Sequence, residues 1–135
     1  MAERGRSGIV RIVQSHRILV IDDHTGVRTR LVELFHEAVP EAEIGEAANA
    51  AEALRRWLAT DWDIAILDLN LPDTTGCALV RQLATIRPSA RIVVLSAMDP
   101  TVYAAPAVEA GAAVFVAKKD IATALLPAAL ILEEP

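Results

Sequence analysis

The chain has 135 residues, 53% of them hydrophobic, and a formal net charge of −5. That length fits one domain with a buried core, and the composition excludes a chain disordered throughout. Its one cysteine, Cys77, excludes an internal disulfide and a cysteine-rich zinc site, and the acidic balance counts against a nucleic-acid-binding surface. No apolar run reaches the roughly 18 residues of a membrane span. The N-terminus lacks the apolar stretch of a signal peptide, so a cytoplasmic location is expected.

Residues 1–15 read as a flexible leader, with a docking or edge-strand segment as the other reading of Ile9–Val13. Ile18–Ile21 is a β-forming apolar run stopped by Asp22 and Asp23, and Val27, Leu31, Leu34, Phe35 and Ala38 then share one helical face. A weaker strand over Glu43–Ala47 follows. Asn49 with Glu52 reads as a capping box for a helix through Leu58. Ile64–Leu67 is the third buried run, ended by Asp68, and a helix over Ala78–Ile86 stops near Arg87-Pro88. Ile92–Leu95 runs into Ser96. Asp99-Pro100 opens a helix toward Ala110, with Gly111 as its stop. Val114–Ala117 ends at Lys118, a last helix covers about Ile121 to Leu132, and 133–135 are a frayed end or the start of a linker.

Five strands therefore alternate with five helices. Strands that are continuously apolar predict a parallel sheet covered on both faces, with its site at the strands' C-terminal ends. The residues just past those ends are Asp22, Asp23, Asp68, Ser96 and Lys118. Singly, each reads as well as a helix cap or loop starter. Together they do not, because carboxylates a few ångströms apart repel by roughly 4 kcal/mol per pair at an effective dielectric of 20. A cation offsets that repulsion, and oxygen-only ligands favour a hard one, Mg²⁺ first. An Asp carboxylate can accept a phosphoryl group, Mg²⁺ and a lysine stabilise the charge, and a hydroxyl binds the new oxygens. Asp68, centrally placed before a loop with Pro72 and Gly76, is the expected acceptor.

Val20-Ile21-Asp22-Asp23-His24, Asp68-Leu69-Asn70-Leu71-Pro72 with Gly76, Leu95-Ser96-Ala97, and Gly111-Ala112 with Phe115 and Lys118 together resemble the receiver domain of two-component response regulators, most of all the NarL/LuxR type. The resemblance spans about residues 17–132 and places the receiver domain at 16–132. It implies a flavodoxin-like (βα)5 fold, a doubly wound parallel sheet of order 2-1-3-4-5. It implies Asp68 as acceptor of a phosphoryl group from a sensor histidine kinase or phosphotransfer protein. Asp23 and Asp68 become direct Mg²⁺ ligands, Asp22 a ligand through water, and Asn70 a ligand through its backbone carbonyl. Ser96 and Phe115 become the switch pair, and Lys118 the partner of the phosphoryl oxygens. The domain is then a signalling switch rather than an enzyme, at most phosphorylating itself from small donors and losing the group again. Any DNA-binding output would lie outside this segment.

Some features depart from that pattern. Lys119 follows Lys118, and only spacing selects the first. Pro106 and Pro127 fall inside the fourth and fifth helices, where an interior proline costs about 3 kcal/mol and kinks or breaks the helix. The resemblance puts a homodimer surface on helix 4, strand 5 and helix 5, and the prolines predict that this face is altered. Met98 offers no carboxylate or amide to guide water. His24 reads as a plain loop residue, with pH sensing or a phosphate contact as the other reading, and His36 as a helix-surface residue. His16, before the first strand, has no second ligand for a metal role. Trp57 and Trp62 read as packing, with a partner surface as the other reading. Two other readings are a receiver-like interaction domain that works without phosphorylation and an Asp-nucleophile Mg²⁺ phosphohydrolase. The latter wants a carboxylate two residues past Asp68, where Asn70 stands. Flavin binding lacks a phosphate-cradling first loop.

Overall fold

The computed structural model describes residues 11–12 and 16–132. The remainder of the expected leader and residues 133–135 lie outside the described residues.

The main sheet contains β1 (Arg17–Ile21), β2 (Glu43–Ala47), β3 (Ile64–Leu67), β4 (Arg91–Ser96) and β5 (Val114–Ala117), all parallel, in the order β2-β1-β3-β4-β5. Between them run α1 (Thr25–Ala38), α2 (Ala50–Ala59), α3 (Gly76–Ile86) and α4 (Pro100–Ala110). The flavodoxin-like topology and order 2-1-3-4-5 are those expected from the sequence. Separately, Arg11–Ile12 pairs antiparallel with Ile131–Leu132.

The continuous apolar strands explain the layering. Successive side chains of a strand point to opposite faces. Leu19, Ile21, Ala65, Leu67, Ile92 and Val94 pack on one face with Ala53, Trp57, Leu79, Leu83 and Ala107 of α2, α3 and α4. Ile18, Val20, Ile64, Ile66, Val93 and Leu95 pack on the other with Leu31 and Phe35 of α1 and Leu125 and Ala129 near the C-terminus. At the starting edge of the sheet, Asp63 joins three strands. Its Oδ2 accepts the Arg17 N–H at 2.8 Å, its own N–H donates to the Arg17 carbonyl at 2.8 Å, and its carbonyl accepts the Arg91 N–H at 2.9 Å.

The capping signals act as read. Asn49 Oδ1 accepts the Glu52 N–H at 2.8 Å, and Glu52 Oε1 takes the Ala48 N–H at 2.7 Å, one residue before the cap itself. Asp99 Oδ1 accepts the Thr101 N–H at 2.9 Å, and Gly111 closes α4 at φ 128°, a conformation that favours glycine.

Two expectations about the C-terminal third need correction. α4 is continuous through Pro106. Pro106 has no N–H to offer the carbonyl four residues back, at Val102, a residue on the exposed side of the helix. The fifth helix is not one α-helix over Ile121–Leu132. A 3₁₀ turn spans Lys118–Asp120, a π turn spans Ile121–Leu125, and α5 covers only Leu126–Leu130 before the Ile131–Leu132 strand. In a regular α-helix the ring of Pro127 would collide with the carbonyl four residues back, at Thr123. The wider π turn falls on that residue and relieves the collision.

Candidate functional site

Register builds the site. β1 and β3 pair Ile21 with Leu67, so the next residues, Asp22 and Asp68, leave the sheet side by side. The Asp68 N–H donates to the Ile21 carbonyl and the Asp22 N–H to the Ala47 carbonyl, each at 3.0 Å, so the ladder fixes the backbone under both carboxylates. Both residues are buried, at 1% and 4% exposure. On the other side, β4 pairs Leu67 with Val94, and β5 pairs Ser96 with Ala117, which places Lys118 directly after that pair.

Lys118 Nζ lies 3.1 Å from Asp22 Oδ2 and 3.1 Å from Asp68 Oδ2. Burial pulls its pKa down, but the hydrogen bond to Asp22 and the charge of Asp68 outweigh that, and it stands above the ordinary lysine value. The ammonium is therefore charged wherever the domain is folded near neutrality. Asp23 is exposed beside this buried pair. His24, expected as a plain loop residue, joins the cluster: its Nδ1 is 3.2 Å from Asp22 Oδ1 and 3.1 Å from Asp23 Oδ1, and its backbone N–H donates to Asp22 Oδ1 at 2.9 Å.

The loop after Asp68 is folded back on itself. The Asn70 N–H donates to Asp68 Oδ1 at 3.1 Å, Asn70 bridges to Thr75, and the Gly76 N–H donates to the Leu69 carbonyl at 3.0 Å. A side chain on Gly76 would overlap the Leu69 backbone, so this closure needs glycine. Ser96 is fully buried, and its Oγ accepts the Met98 N–H at 3.0 Å, which leaves the hydroxyl proton free to donate. Phe115 is half-buried, three residues before Lys118, against the core cluster on the α2–α4 face.

Of the residues expected from the sequence, Asp22, Asp68 and Lys118 meet directly, Asp23 lies at the same mouth, and Asn70 reaches Asp68 through its N–H. Strand register sets Ser96 at the end of β4 opposite Ala117, and Phe115 two pairs earlier, opposite Val94. Two contributors had no motif to mark them. Arg28 of α1 donates to the Asp22 carbonyl at 2.7 Å and to Glu46 Oε1 of β2 at 3.1 Å, bracing the Asp22 turn. Asp73 accepts the Ala50 and Ala51 N–H groups at 2.9 and 3.0 Å, tying the loop to the first turn of α2. Those two bonds hold the Asp73 carboxyl below its ordinary pKa. The signal for Arg28 was its place on the helix turn nearest Asp22; Asp73 could be found only from the fold.

Asp22, Asp23, His24 and Asp68 offer ligand atoms that all lie within 4.8 Å of one another. Three carboxylates against one ammonium leave two negative charges, the charge of one divalent ion. The donors are mainly hard oxygens, so the site fits Mg²⁺.

The profile of the response regulator receiver domain matches residues 18–130. The chain belongs to this family. It is a signalling receiver domain of two-component systems. It is 38% identical over 103 residues to the DNA-binding transcriptional activator DevR/DosR of Mycobacterium tuberculosis, covering 76% of this chain and 47% of that protein. A LuxR-family response regulator from Aurantimonas shares 35% identity at a TM-score of 0.71, covering 78% of this chain and 75% of that one. The response regulator TrrA of Thermotoga maritima, solved in complex with Mg²⁺ and BeF, shares 29% identity at a TM-score of 0.68, covering 76% and 86%. The NarL/LuxR resemblance thus has relatives behind it. The receiver domain spans about half the length of the curated transcriptional regulators it matches. Among the described residues no helix is long and apolar enough to cross a membrane.

Proposed function

We propose that Asp68 is the phosphoacceptor and that the receiver takes its phosphoryl group from a sensor histidine kinase or a phosphotransfer protein. The observation that carries this reading is the Asp68 carboxylate itself, buried beside Asp22 with the charged Lys118 at 3.1 Å. An Asp68 oxygen attacks the phosphorus of a phosphohistidine. The P–O bond forms as the P–N bond breaks, and the imidazole nitrogen leaves with the electron pair. Lys118 follows the developing charge onto a phosphoryl oxygen, and the Ser96 hydroxyl donates to another. That movement of Ser96 opens room for the Phe115 ring to turn inward, which carries the charge change to the α4, β5 and α5 face.

Asp23, Asp68 and the Asn70 backbone carbonyl would hold Mg²⁺ directly and Asp22 through water. The ion supplies positive charge to the phosphoryl oxygens during transfer. The Mg²⁺ complex of the Thermotoga relative supports this ligand class. A histidine kinase donor carries a cytoplasmic location with it, where ATP is found. In a longer regulator this domain would govern transcription through a separate DNA-binding part and would not itself touch nucleic acid.

The homodimer expected on α4, β5 and α5 meets an α4 that carries Pro106 in its interior and a fifth helix shortened by Pro127. Sedimentation velocity with and without phosphorylation is expected to show a monomer in both states.

Incubation with Mg²⁺ and acetyl phosphate tests the central claim. Intact mass should rise by one phosphoryl unit, and Asp68→Asn should abolish the gain. Folded, Mg²⁺-replete protein that gains no mass would leave the phosphorylation-independent interaction domain as the better account.

A further inference from the structure

Away from the acidic cluster, α2 and α3 leave a trough of about 510 Å³ between them, lined among others by Leu54, Thr74, Ala78, Arg81 and Ile86. Its floor is mostly hydrocarbon. Leu58, one helical turn beyond Leu54, is 67% exposed, and Ile86 at the far lip is 39% exposed. Neither contributes to the core, so the sequence spends two large apolar side chains on this surface.

The rim carries arginines that are not salt-bridged among the described residues. The carboxylates of α2 and its flanking turns are engaged: Glu52 accepts the Ala48 N–H, Asp61 pairs with Arg87, and Asp73 caps α2. Arg55, on the turn before Leu58, and Arg81, in the trough wall, have no carboxylate partner among the described residues. Arg81 thus stands in the wall of an apolar trough, with Arg55 at an exposed position of α2 before Leu58.

The trough is also fastened at both ends. At one end Asp73 ties the loop to α2. At the other, Trp57 Nε1 donates to the Leu83 carbonyl at 3.1 Å, and the Arg87 guanidinium donates to the Trp57 carbonyl at 3.2 Å while lying 5.4 Å from the indole centroid. A pre-formed groove of this kind costs little ordering on binding.

We propose that the α2–α3 trough is a docking groove for an amphipathic helix of a partner protein whose apolar stripe is flanked by carboxylates. Apolar residues at helical spacing would fill the floor, and the acidic flank would meet Arg55 and Arg81. Because Thr74 in the groove wall adjoins Asp73, on the loop that begins at Asp68, phosphorylation would alter the groove. That last step rests on the phosphoacceptor reading of Asp68, whereas occupancy of the groove does not.

The test uses the full chain and two fluorescein-labelled synthetic helices, both with leucines at i, i+3, i+4 and i+7, one flanked by glutamates and one by lysines. Anisotropy should show binding of the acidic helix at least about tenfold tighter than the basic one. Amide resonance shifts should centre on Leu54, Ala78, Gln82 and Ile86. Arg81→Glu and Leu58→Glu, both surface changes, should each weaken binding about tenfold. Equal binding of the two helices, shifts centred elsewhere, or a concentration-dependent dimer that Leu58→Glu abolishes would overturn the proposal. Acetyl phosphate with Mg²⁺ should change the acidic helix's affinity by about threefold in the wild type and not in Asp73→Ala. An unchanged affinity in protein that mass spectrometry shows to be phosphorylated would remove the coupling. Binding by protein that takes up no phosphoryl group would keep the groove and overturn the Asp68 reading instead.

Discussion

Lys118 and Asp68 are fifty positions apart in the chain, and their Nζ and Oδ2 atoms stand 3.1 Å apart. The same ammonium reaches Asp22 at 3.1 Å. One side chain therefore neutralises part of the charge on two buried carboxylates, and its removal leaves both exposed to each other's repulsion.

Lys118→Met should destabilise the metal-free domain by about 2 kcal/mol at neutral pH. This is below the range for a fully buried pair because the lysine is partly solvated. Mg²⁺ should recover much of that loss, so the rise in Tm on adding Mg²⁺ should be larger in the variant than in the wild type. Differential scanning fluorimetry across a Mg²⁺ series measures it. Phosphorylation by acetyl phosphate should fall in the same variant.

Arg28→Ala removes the donors to the Asp22 carbonyl and to Glu46. A stability loss of about 1 kcal/mol is expected. Because the Asp22 turn loses its brace, calorimetric titration should show Mg²⁺ affinity reduced several-fold. Glu46→Ala, which keeps the bond to the Asp22 carbonyl, should leave that affinity near the wild-type value.

Gly76→Ala places a methyl group against the Leu69 backbone. The loop must open to admit it, at about 2 kcal/mol. Chemical denaturation should register that cost, and exchange of the residue-76 amide, which donates to the Leu69 carbonyl across the loop, should speed up.

His16 is 2% exposed, and among the described residues neither ring nitrogen has a hydrogen-bond partner. Burial lowers its pKa below the ordinary 6.5, with the Asp63 carboxylate opposing the shift. The folded state therefore favours the neutral ring. Its stabilising contribution is complete above pH 6.5 and is lost as pH falls through the folded value, because the unfolded chain takes up the proton first. Thermal melts between about pH 7.5 and about pH 5.5 should show a steeper fall in Tm for the wild type than for His16→Phe.

The strands and their order were legible because both faces of the sheet are covered. Ile18–Ile21, Ile64–Leu67 and Ile92–Leu95 carry no polar residue to blur the pattern, and each stops at a group that chemistry can use. Short-range signals were equally readable, since Asn49 with Glu52 and Asp99 with Pro100 act within one helical turn. Asp73 was not legible, and Arg28 only through its place on the helix turn nearest Asp22. Their partners, Ala50, Ala51 and Glu46, are set by how α1 and the β3–α3 loop fold against β2 and α2, and no local pattern records that. His24 looked like a loop residue because its place against Asp22 and Asp23 depends on a turn geometry that composition does not specify. The last helix was misjudged for a different reason. Apolar spacing over 121–132 is helical, but the Pro127 ring forces a wider turn before it, and Ile131–Leu132 pairs with Arg11–Ile12 instead of continuing the helix.

Asp63 holds β1 and β4 at their first residues, far from the chemistry. In a parallel ladder a slip of one residue at that end travels undiminished to the other. Such a slip would turn Asp22 toward the wrong side of the sheet and strand it out of step with Asp68. A carboxylate outside the acidic cluster thus sets the alignment of those within it, and mutational damage to the site should appear at the sheet's quiet end as well as at its acidic one.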